Sequence, residues 1–174
     1  VMLVGVNEAE ELKALAETLE IPFANLLRAY AVEDLLFRIG QSGYREHLWL
    51  RSDRMLGVQS YRAGREEALE FFYRESPRLP APEKLIPGQR LTVELAESFV
   101  HVVLAQKNRQ GICWEGCAAG EAGAVTLALC ANYRQMKVPV TVGLLNCTKG
   151  KPRPENREFS GVAIPGIIIS SQAY

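Results

Sequence analysis

Several things are scarce in this chain of 174 residues, and each shortage removes a class of function. Net charge is missing: 20 basic residues balance 20 acidic ones. A neutral chain offers no electrostatic case for an anionic membrane or nucleic acid as the main partner, although a local basic patch leaves nucleic acid open. No apolar run approaches the roughly 20 residues that span a bilayer. Acidic Glu8, Glu10 and Glu11 follow the apolar start at once, unlike the basic flank and longer apolar core of a signal peptide. The chain reads as cytoplasmic, with no membrane partner. Histidine is nearly absent: His47 and His101 stand alone. Four cysteines, Cys113, Cys117, Cys130 and Cys147, lie mostly in apolar, strand-like surroundings and read as small buried thiols. Cys113 and Cys117 have the spacing of half a zinc site, but no second ligand pair has suitable spacing. Internal repeats and low-complexity tracts are missing too.

What is present is ordinary globular material, 48% hydrophobic and 23% charged, in a length that suits one domain. From Asn7, a residue suited to an N-cap, a helical period carries Leu12, Leu15, Ala16 and Leu19 on one face. Ile21-Pro22 ends that helix and starts a longer one, with Phe23, Leu26, Leu27, Tyr30, Ala31, Leu35, Leu36 and Ile39 at spacings of three and four, closed by Gly40 and Gly43. Glu46 to Leu50 reads as a short strand, and Asp53 as the cap of a helix through Tyr61. Ala68 to Tyr73 reads as a strand, followed by a proline-broken loop from Ser76 to Pro82. Leu91 to Lys107 is helical, with Leu91, Leu95, Phe99, Val102 and Val103 along one side. Four strands are then expected at Ile112–Cys117, Val125–Tyr133, Lys137–Leu145 and Ile164–Ser170. The middle two form a hairpin around Arg134-Gln135-Met136. The last is apolar at consecutive positions and should be central or covered on both faces.

Helices first and strands after indicate an α+β fold, a mostly antiparallel or mixed sheet with helices on one side. The expected organisation is a single domain over 1–174, with a helical lead-in over 1–45 and a sheet-bearing part over 46–174. The chain stops at Tyr174 without a cap or tail, from which a missing C-terminal region is expected.

Three segments, in order, carry a family resemblance. The stretch from Phe23 to Leu50 resembles the opening "LLxRYAxExLLYRLxQSxYxxxFVLKG" of the AbiEii-type abortive-infection nucleotidyltransferases. Ala122–Leu127 through Lys137–Val142 is similar to that family's "YxGVRVRL…RIPVQIDIGFGD" hairpin. Val162 to Tyr174 is similar to its "P…LLDxPAPRLLAY" strand. The resemblance implies a nucleotidyltransferase palm, a mixed sheet flanked by N-terminal helices, followed by a C-terminal helical region that this chain lacks. It also implies an antitoxin partner and nucleotide transfer to an acceptor such as tRNA.

Nucleotidyl transfer needs divalent metal held by carboxylates, usually Asp-x-Asp on one strand, with both side chains on one face, and a third Asp from a neighbouring strand. A glycine turn before a helix receives the phosphates. By the resemblance, the phosphate turn falls on Arg51-Ser52-Asp53, where the glycine is gone and Asp53 brings a negative charge, leaving Arg51 and Ser52 as the nucleotide-binding candidates. The Asp-x-Asp pair falls on Ala68-Leu69-Glu70, or in a second register on Glu66-Glu67-Ala68. The third Asp falls on Gly143. One carboxylate, a vestigial Glu70, survives, with Glu66 and Glu67 as the only compensating acids. One carboxylate cannot hold two Mg²⁺ ions that each want about six oxygens. No metal ligands are therefore assigned and no cofactor is expected, Mg²⁺ entering only if the chain is active.

Ser60, Ser76 and Ser98 lack a nucleophile-elbow setting, and His101 reads as a helix-surface residue rather than a base. Arg51, Arg54, Arg62, Arg65 and Lys107 read as a solvated face, or as the remains of an anion site. The expected function is a non-catalytic nucleotidyltransferase-like protein that acts by binding an antitoxin-like partner or a nucleotide, in a toxin–antitoxin or phage-defence role. A divergent Mg²⁺-dependent enzyme acting through Glu66, Glu67 and Glu70, and a plain interaction module, are the alternatives.

Overall fold

The computed structural model describes residues 8–50, 69–74, 90–106, 111–146 and 157–158. Three helices lie among them: α1 (Glu8–Leu19), α2 (Phe23–Gln41) and α3 (Val93–Ala105). The strands are β1 (Leu48–Leu50), β2 (Leu69–Tyr73), β3 (Ile112–Glu121), β4 (Ala124–Tyr133), β5 (Met136–Asn146) and β6 (Arg157–Glu158). They form one six-stranded sheet in the order β3-β4-β5-β2-β1-β6. All pairs are antiparallel except β2 with β5, so the sheet is mixed and the fold is α+β.

Alternation decides the sheet's two faces. Leu69, Phe71 and Tyr73 of β2 are buried with Val125, Leu127, Leu129, Ala131 and Tyr133 of β4 and Val138, Val140, Val142 and Leu144 of β5. These side chains join one core with Leu26, Leu27, Tyr30, Leu35, Leu36 and Ile39 of α2 and Leu95, Phe99 and Val103 of α3. Between the inward positions of β4 and β5, Thr126, Ala128, Asn132, Lys137, Pro139 and Thr141 are exposed. The apolar period of α2 is the expected one, running through Gly40 to Gln41 with Ser42 as the C-cap.

Several expectations change at their boundaries. Glu46 and His47 are not strand: Gly43–His47 is a 3-10 turn, and only Leu48–Leu50 pairs with β2. His47 is held there because its Nδ1–H donates to the Arg74 carbonyl (2.7 Å), while the Arg74 amide donates to the His47 carbonyl (2.7 Å). The ring also stacks on Tyr73, with centroids 5.4 Å apart. Helix α3 starts later than Leu91 because Thr92 is the N-cap, its hydroxyl accepting from the Leu95 amide at 3.1 Å. Its buried stripe is Leu95, Ala96, Phe99, Val100 and Val103. Val102 falls on the flank of that stripe and is 37% exposed.

Strand β3 runs on to Glu121, past Cys117, because its glycines and alanines pair along the whole of β4. The cysteines are corrected with it. Cys113 and Cys117 are exposed and Cys130 is half-buried, because all three sit at positions of β3 and β4 that point away from the helices. The β4–β5 hairpin has a two-residue turn, Arg134–Gln135, and Met136 already pairs with Tyr133. Both turn residues have positive φ, 47° and 70°, the conformation that a tight hairpin of this hand requires. The Asn7 cap, the Asp53 helix, the Ser76–Pro82 loop, Cys147 and the 164–170 strand lie outside the described residues.

No helix among the described residues is long and apolar enough to cross a membrane.

Candidate functional site

Glu70 is the one carboxylate candidate within the described residues. Arg51, Ser52, Asp53, Glu66, Glu67 and Ala68 lie outside them, as do Arg54, Arg62, Arg65 and Lys107. On β2, Leu69, Phe71 and Tyr73 point into the core, so Glu70 and Phe72 occupy the opposite face and are half-buried. Glu70 is paired directly with Gly143 of β5, the position to which the resemblance assigns the third metal-binding Asp. A Cβ built on Gly143 would meet Glu70 Cγ at 3.4 Å, an ordinary contact. Two positions distant in sequence and aligned through separate segments are thus side by side on parallel strands. One holds a carboxylate and the other no side chain at all.

Around this pair the same face continues in register. Thr126 of β4 lies across from Gly143, Leu145 across from Phe72, and Phe72 across from Trp49 of β1. The Arg74 guanidinium sits 5.6 Å from the Trp49 ring centroid, a cation–π distance. This part of the sheet therefore offers one carboxylate, one hydroxyl, two aromatic rings and a guanidinium laid over one of them. Such a set does not supply the oxygen shell of a divalent ion. No group of three or more His, Cys, Asp or Glu among the described residues is placed to hold a metal ion. The described residues do not fit a Mg²⁺ pair.

The polar group that sequence reasoning missed is on the core side. Asp34 and Arg38, one turn apart on α2, are both buried and form an ion pair with Nε to Oδ2 at 2.8 Å. Trp114 of β3 donates its indole N–H to the same Asp34 oxygen at 2.7 Å. Arg38 also donates to the carbonyls of Leu104 (2.9 Å), Gln106 (2.6 Å) and Ile112 (3.3 Å). Leu104 and Gln106 close α3, whose last carbonyls lack helical partners, so Arg38 caps that helix from across the core. The signal was readable: an acid and a base four apart in a helix that is otherwise apolar at those positions. The network locks α2, α3 and the start of β3 together.

Tyr44, in the turn after α2, packs edge-on against Phe99 with centroids 5.0 Å apart, and burial raises its hydroxyl above the usual phenol value of 10.0. It lies in the core and serves no chemistry at the sheet's outer face. His101 is exposed on α3, away from the buried stripe. Set against known proteins, the chain matches no family model, no curated protein and no solved structure.

Proposed function

We propose that this chain carries a nucleotidyltransferase-like fold whose metal-binding carboxylates have eroded, and that it acts by binding rather than by transferring nucleotides. The setting we infer is a toxin–antitoxin or phage-defence one, with an antitoxin-like protein or a nucleotide as the partner. The observation that carries the reading is the pairing of Glu70 with Gly143. The resemblance assigns both positions to metal-holding carboxylates, and adjacency on neighbouring strands is what such a pair requires. Glycine at one of them leaves a single acid. Two metals bridging a triphosphate and an acceptor hydroxyl need more anionic oxygen than one glutamate provides.

The test is a transfer assay with the whole protein. Each labelled nucleoside triphosphate is supplied with Mg²⁺ or Mn²⁺ and total cellular RNA, beside a Glu70→Ala control. The expected result is no label in RNA or protein from either form, under conditions where an intact nucleotidyltransferase labels its acceptor. Incorporation by the parent that disappears in Glu70→Ala would overturn the proposal and assign Glu70 to a working metal site.

A further inference from the structure

We propose that the outer edge of β3, which no described strand pairs, is a self-association surface, which joins two copies of this chain by antiparallel β3–β3 pairing about a two-fold axis at Cys117. Strand β3 ends the order of the described strands, and Cys113, Glu115, Gly116, Cys117, Ala119, Gly120 and Glu121 are all exposed. The strand is ten residues long and contains none of the Pro, Lys or Arg residues that commonly blunt an edge.

The hydrogen-bond parity of the strand follows from its hairpin. Ala122–Gly123 is a two-residue turn, so the flanking pair Glu121–Ala124 is a hydrogen-bonded one. Counting back by twos, Glu115, Cys117 and Ala119 bond to β4, while Trp114, Gly116, Ala118 and Gly120 aim their amides and carbonyls at the outer edge. The close approach at Gly116 agrees, since a Cβ there would lie 3.3 Å from the Leu129 Cα, as at a non-bonded pair.

Pairing with a second copy must keep inward and outward faces matched, which limits the two-fold axis to a few positions. An axis at Glu115 sets that acid against itself, and one at Ala118 sets Glu115 against the partner's Glu121. Like charges directly opposed disfavour both registers. An axis at Gly116 places Trp114 against the partner's Ala118. An axis at Cys117 places Trp114 against the partner's Gly120, Glu115 against Ala119, and Glu121 against Cys113. No acid then opposes an acid, and the largest side chain faces the residue that has none.

In this register Cys117 opposes its own copy at a non-hydrogen-bonded position. Cα atoms there stand about 4.5 Å apart, within the span of a disulfide. Within one copy, by contrast, Cys130 pairs with Glu115 and is only diagonal to Cys113 and Cys117, about 7–8 Å away. The register therefore predicts which thiol cross-links. Diamide would take up two electrons and two protons from the two Cys117 thiols and become the hydrazine, leaving an intermolecular S–S bond.

Multi-angle light scattering on the whole protein at tens of micromolar should give a dimer. Cys117→Lys sets two ammonium groups against each other and should weaken the dimer at least about tenfold with an unchanged circular dichroism spectrum. Ala119→Lys, opposite the partner's Glu115, should leave it intact. Diamide should yield a dimer band on a non-reducing gel, lost in Cys117→Ser and kept in Cys113→Ser. A monomeric parent, a dimer indifferent to Cys117→Lys, or one dispersed equally by Ala119→Lys would each overturn the proposal.

Discussion

Replacing Arg38 with methionine tests the buried network most directly. The Asp34 side chain is 0% exposed and that of Arg38 7%, so neither charge has water to fall back on. Arg38→Met removes the ion pair to the Asp34 carboxylate, and withdraws a donor from the carbonyls of Leu104, Gln106 and Ile112. Breaking a buried pair from one side costs about 3–5 kcal/mol, because the remaining charge stays desolvated. For a domain of this size, at about 2–4 °C per kcal/mol, the melting temperature should fall by roughly 6–20 °C. The double variant Asp34→Leu/Arg38→Met removes both charges and should recover part of the loss. A coupling of about 2 kcal/mol or more is expected in the double-mutant cycle. Urea titration followed by far-UV circular dichroism and by tryptophan fluorescence measures all four corners, and Trp114 reports on the site itself. Single costs below about 1 kcal/mol, or costs that simply add in the double variant, would refute the claim that this pair holds α2, α3 and β3 together.

Other predictions follow from single positions. Gly143→Asp places a second carboxylate beside Glu70, and Mn²⁺ titration by electron paramagnetic resonance should detect binding in the variant that exceeds binding in the parent. Gly116→Ala drives a methyl to 2.3 Å from Leu129 Cδ2 and 3.0 Å from the Ala128 carbonyl, and should cost about 1–3 kcal/mol by denaturation. Arg134→Asn with Gln135→Gly suits the positive φ of both turn residues, and should raise the unfolding free energy by about 1 kcal/mol. The raised ionisation of Tyr44 means that the unfolded chain loses its phenol proton first as pH climbs past 10.0, so this stabilisation is complete below that value and is lost above it. Tyr44→Phe should therefore show a smaller loss of stability between pH 9 and pH 11 than the parent, and equal losses would refute the assignment.

Much of the secondary structure could be read before any coordinate. The three- and four-residue apolar spacing of α2 and the two-residue alternation of β4 and β5 are each imposed by one partner surface, so the pattern survives in the sequence. The α+β class followed from the order of those patterns, which left the sheet mostly antiparallel or mixed; the parallel β2–β5 pair makes it mixed. The pairing of β2 with β5, about seventy residues apart, depends on how the elements stack, and so does the adjacency of Glu70 and Gly143. No periodicity or spacing within either segment announces that adjacency. The exposure of Cys113 and Cys117 is not legible in the sequence, because small apolar neighbours imply burial for a central strand, whereas β3 ends the described sheet and no described element covers its outer face. Asp34 and Arg38 carry a readable helical spacing, but only the tertiary structure decided that their charges are buried together. The Trp114 indole and the end of α3 arrive from far along the chain, and desolvation depends on what packs above a residue rather than on what flanks it.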